Sequence, residues 1–168
     1  MWKKIKPYLL TVVISVLGTL RLFHLGLFLY LQRGYVPDLK PDLEKMTLVK
    51  DFVRNSVPYS EEKQMFSIYK KDGAYVFKKF GGDVVATLPA DVAEAWAYLA
   101  ETSFYISDAC LENVTIQGDV IMFHTLESTY NAITFSPDGR AAVEKLTPSE
   151  YKVKRVMKNW YYAGIVGI

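Results

Sequence analysis

The chain has 168 residues, with 20 Lys or Arg, 18 Asp or Glu, a single cysteine and 51% hydrophobic residues. One cysteine excludes an intrachain disulfide, and with it a small secreted scaffold built on disulfides. The net charge of +2 belongs to the N-terminus: residues 1–37 carry five basic residues and no acid, and the rest carries fifteen basic against eighteen acidic, which gives no argument for nucleic-acid binding.

Residues 1–6 form a basic flank through Lys3, Lys4 and Lys6. From Pro7 to Leu31 fifteen of 25 residues are Leu, Ile, Val or Phe, with no acid. As a helix this run would extend ~37 Å, against a bilayer core of about 30 Å. It predicts a transmembrane signal anchor over 7–32, single-pass, with a cytoplasmic N-terminus and the remaining chain outside the cell membrane. A soluble core helix and a cleaved signal peptide are the competing readings. Arg21 and His24 interrupt the run. Thr11, Ser15, Gly18 and Arg21 share one helical side, so Ser15, Gly18 and Arg21 are candidate contacts for a partner helix within the membrane.

Gly34, Pro37 and Pro41 mark a linker over 33–40, followed by an extracytoplasmic domain over 41–168. Leu43, Met46, Val49, Phe52 and Val53 recur at helical spacing and predict an amphipathic helix over 41–55. Asp72-Gly73 between alternating runs predicts a β-hairpin over 65–80, with Val84 to Thr87 a short extension. Pro89 and Asp91 open a helix over 89–104, rich in alanine.

From Glu112 to Leu146, turn signals at Gly118-Asp119, Glu127-Ser128 and Ser136-Pro137-Asp138-Gly139 predict a four-stranded meander: 112–117, 120–126, 129–135 and 140–146. Thr147-Pro148-Ser149-Glu150 has the form of a capping box and predicts a last helix over 148–161. The alternation of Tyr151 to Val156 leaves a strand as the alternative there. The fold class that follows is α+β: an N-terminal transmembrane helix, then an antiparallel sheet made of a hairpin and a four-stranded meander, packed by about three helices on one side.

Nucleophilic chemistry would need a base beside a thiol, so Cys110 and His124 are the candidate catalytic pair, with a hydrolase or transferase as the corresponding activity. Against it stand a buried structural thiol and an unrelated strand histidine. No Gly-x-Ser-x-Gly elbow accompanies His124, Glu127 and Ser128. Metal ligands do not cluster, although Asp108, Glu112 and Asp119 could converge through the fold. Between Lys79 and Arg140 there is no basic residue, whereas 140–158 is basic, so the surface either compensates its charge or is polarised.

The reading that follows is a membrane-anchored, non-catalytic binding or interaction protein of the cell envelope. Its expected partners are the lipid bilayer and another membrane or envelope protein, without nucleic acid, cofactor or metal. The Cys110–His124 enzyme is the alternative.

Overall fold

The computed structural model describes residues 39–102, 113–125 and 128–164, together with positions 15, 18, 19, 21 and 22. A 3₁₀ turn, Lys40–Asp42, leads into α1, Leu43–Ser56. Then come β1, Gln64–Lys71, β2, Ala74–Lys79, and β3, Val84–Thr87. Helix α2, Ala90–Thr102, precedes β4, Val114–Gln117, β5, Val120–Thr125, and β6, Ser128–Phe135. The described chain closes with α3, Arg140–Leu146, and the hairpin β7, Lys152–Met157, and β8, Trp160–Gly164.

The chain divides into two units, Met1–Tyr35 with Val166–Ile168, and Val36–Ile165. In the first, Ser15, Gly18, Thr19, Arg21 and Leu22 are helical and exposed, and the Thr19 hydroxyl donates to the Ser15 carbonyl at 2.9 Å. The expectation of a membrane-spanning anchor is corrected here: among the described residues no helix is long and apolar enough to cross a membrane. The described positions of the apolar run are polar, small or charged apart from Leu22; the other positions of 7–32 lie outside the described residues. The assignment to the cell membrane with an outward-facing domain loses its support with the anchor.

Among the described residues, eight strands of the second unit join one antiparallel sheet, in the order β3-β2-β1-β4-β5-β6-β8-β7. The β1–β2 turn is Asp72-Gly73, both with positive φ, 51° and 86°. That is the type I′ geometry whose twist suits a two-residue hairpin. One face of the sheet carries Phe66, Ile68, Phe77, Ile116, Phe123 and Ile133 against Met46, Val49 and Val53 of α1 and Val92, Trp96 and Leu99 of α2. Phe66 stacks on Phe77 at 4.7 Å between centroids. Full burial of each such side chain is worth about 1.5–3 kcal/mol, so this face carries most of the hydrophobic stabilisation. Leu39, placed by the sequence in a linker, is fully buried in the same core.

Three further expectations are corrected. The fourth meander strand, 140–146, is α3. Its sequence, RAAVEKL, is rich in helix formers, and Arg140 Nε bonds Glu144 Oε1 at 2.6 Å across one turn. The expected last helix, 148–161, is the β7–β8 hairpin. Its capping-box signal yields one turn only, in which Tyr151 N–H donates to the Pro148 carbonyl at 3.0 Å. The chain then pairs as strands because β8 beside β6 buries Trp160 and Tyr162 on one face and Tyr161 and Ala163 on the other. A strand buried on both faces has no polar alternation to announce it. Nor do the helices share one side of the sheet. Val143 of α3 packs with Val153, Tyr161 and Ala163, and Ala142 and Leu146 lie against Val120, Met122 and Ala132, on the face opposite α1 and α2.

Candidate functional site

His124 lies on β5, half-buried, with Nε2 2.9 Å from the Thr115 hydroxyl of neighbouring β4. Its backbone N–H donates to the Asn113 carbonyl at 3.0 Å. Cys110 lies outside the described residues, as do Asp108, Glu112 and Glu127, so the expected Cys110–His124 pair has one described member. Among the described residues, no group of three or more His, Cys, Asp or Glu could hold a metal ion. The candidate intramembrane contacts Ser15, Gly18 and Arg21 are each helical and exposed, and a Cβ at Gly18 would meet nothing within 4 Å.

Of the acidic region of the sequence, Asp108, Glu112 and Glu127 lie outside the described residues. Asp91, Glu94, Tyr98 and Glu101, spaced by three and four residues, form the exposed stripe of α2. Lys152 and Arg155 are exposed on β7, and Lys158 in the turn after it, at one edge of the sheet. The ion pairs Lys50–Asp51, Arg54–Asp119 and Arg140–Glu144 do not link the stripe to that edge.

An open sheet edge presents unpaired backbone groups, and lysines are a common means of keeping other strands off it. The β7 edge follows that rule. The opposite edge, β3, does not: its sequence is Val84-Val85-Ala86-Thr87, with no charged side chain. Val84 is 42% and Val85 41% exposed, and Phe80, just before the strand, is 47% exposed.

Backbone geometry adds to the contrast. Phe77 pairs with Ala86 and Lys78 with Val84, so Val85 is the extra residue of a β-bulge. Leu88 N–H donates to the Tyr75 carbonyl at 2.9 Å, and Val76 is the partner of Thr87 one step along. Bonded and non-bonded pairs alternate in an antiparallel ladder, so the N–H and C=O of Thr87 point away from β2, toward the open side. Among the described residues β3 has β2 as its sole strand neighbour.

In the sequence Val84–Thr87 reads as a short extension of the hairpin. Its one legible signal was an uncharged, β-branched pair between Gly81-Gly82 and Pro89, in a stretch otherwise dense in charge. Comparison with known proteins adds nothing to this geometry: no family model, no curated protein and no solved structure matches the chain.

Proposed function

We propose that the second unit is a non-catalytic protein-binding domain that accepts an extended segment of another polypeptide as an added strand along β3. The observation that carries this reading is the unequal dressing of the two sheet edges. β7 is screened by Lys152 and Arg155, whereas β3 offers outward Thr87 backbone groups beside exposed Val84 and Val85. In strand addition the main-chain bonds supply affinity and the alternate side chains supply selectivity. The shortness of β3 and its bulge limit the added strand to a few residues, which favours a short docking segment over edge-to-edge polymerisation.

Selection of displayed random peptides on the wild-type protein tests this reading, with Thr87→Pro as the counter-screen. Proline removes the outward N–H without touching a bond to β2, and edge positions tolerate it. Enriched peptides with alternating apolar residues that fail to bind Thr87→Pro support the proposal. Peptides that bind both proteins equally, or no enrichment, overturn it.

A further inference from the structure

We infer that the segment received by the β3 edge is acidic as well as extended, an inference that rests on the strand-addition reading above. The β1–β2 hairpin, on which β3 is paired, carries a basic cluster, while Asp91, Glu94 and Glu101 lie on α2 beyond the far end of β3. Lys70, Lys71, Lys78 and Lys79 stand on β1 and β2, against Asp72 and Asp83 in the turns. Lys78 is directly opposite Val84 in the register, and Lys79 N–H donates to the Asp83 carbonyl at 3.2 Å, so both lysines lie on the strand beside the open edge. Among the described residues none of the four lysines is in an ion pair.

The arrangement differs in kind from that on β7. There the charges sit on the edge strand itself, where an incoming backbone must displace them. Here Lys78 and Lys79 sit on β2, one strand inward beside Val84, with Lys70 and Lys71 a strand further in on β1, and all four leave the edge backbone clear. A strand laid along β3 would place its side chains beside the valines, with Lys78 and Lys79 one strand further in. Carboxylates at alternate positions of that strand complement this field, and lysines there meet like charge. The recognised chemistry is thus a short β-forming segment that alternates apolar and acidic residues.

Fluorescence anisotropy with three labelled peptides of about ten residues tests it, each long enough to exceed a typical strand. One alternates valine with glutamate, one valine with glutamine, one valine with lysine. The wild type is expected to bind the glutamate peptide about tenfold more tightly than the glutamine peptide in low salt and the lysine peptide most weakly. The advantage should shrink as salt shortens the screening length to about 3 Å at 1 M. The double variant Lys78→Gln/Lys79→Gln, altered only at strand side chains near the surface, should lose most of it. Equal binding of all three peptides, abolished by Thr87→Pro, would sink the acidic inference alone. Salt-sensitive binding of the glutamate peptide that survives Thr87→Pro would sink the strand-addition reading and the inference with it. Failure of the wild type to bind any of the three overturns both.

Discussion

The side-chain amide of Asn113 holds both backbone groups of Ile68: Ile68 N–H donates to Asn113 Oδ1 at 2.8 Å, and Asn113 Nδ2 donates to the Ile68 carbonyl at 3.2 Å. The β1–β4 register runs from Gln64↔Ile116 to Phe66↔Val114. Asn113 therefore continues the ladder one step beyond β4 with a side chain in place of a strand. Its buried position denies Ile68 water as a substitute.

Asn113→Ala is expected to cost about 2–4 kcal/mol, since it leaves two buried backbone groups unpaired. Urea unfolding checks this: the midpoint should fall with the slope unchanged. A loss under 1 kcal/mol would show that the bridge is replaceable.

A second tie joins α1 to the β4–β5 turn. Arg54 Nη1 donates to the Gly118 carbonyl at 2.9 Å, and Nη2 pairs with the Asp119 carboxylate. The Gly118 N–H in turn donates to the Ser60 carbonyl at 2.8 Å. Both charged side chains are partly exposed, so solvent discounts their attraction. Arg54→Leu should lower stability by about 1–2 kcal/mol, and the loss should shrink in high salt. Thermal unfolding at two ionic strengths reads both effects.

Tyr59 supplies a pH signature. Its hydroxyl donates to Glu61, and this bond, with the nearby Glu61 and Asp119 charges and against the opposing Arg54 cation, holds its pKa above the usual 10.0. A proton held more tightly in the folded state contributes stability below the unfolded pKa and loses it as pH rises through the folded one. The window therefore lies above pH ~10. Phenolate absorbance should show Tyr59 ionising later than a free tyrosine, and Glu61→Gln should bring it back toward the ordinary value.

Gly164, the last described residue of β8, sits against its neighbours so closely that a Cβ would lie 2.7 Å from Asn131 Oδ1 and 2.9 Å from Tyr162 Cζ. Both side chains are buried. Gly164→Ala should cost about 1–3 kcal/mol as an overpacking change, whereas Gly18→Ala, at a helical position with nothing within 4 Å, should cost nothing and gain up to about 1 kcal/mol of helix stability. Comparison of the two melting temperatures tests the pair.

Much of the second unit was legible in the residues, and the failures have physical causes. The β1–β2 hairpin, α1 and α2 announced themselves because Asp72-Gly73 fixes a turn and because the stripes through Met46 and Trp96 repeat at helical spacing. The stretch 140–146 misled because the turn signal at Ser136-Pro137-Asp138-Gly139 suggests another hairpin, and α3 is too short to show a stripe, with a single buried residue, Val143. The β7–β8 hairpin misled because a local capping signal was outweighed by sheet pairing that engages residues twenty or more positions away, such as Phe135↔Trp160. The anchor expectation rested on the apolar count of 7–31, and among the described residues no helix is long and apolar enough to cross a membrane. The β3 edge was invisible for another reason: an open edge is a property of strand order, and no local pattern encodes strand order.

Amide hydrogen exchange of β3 tests the central claim most directly, measured with and without the valine–glutamate peptide. Strand addition predicts that exchange at Thr87 slows on peptide binding, with smaller changes at Val84 and Val85 and none on β7. Unchanged exchange at Thr87, or protection confined to β7 or to the acidic stripe of α2, would contradict the account.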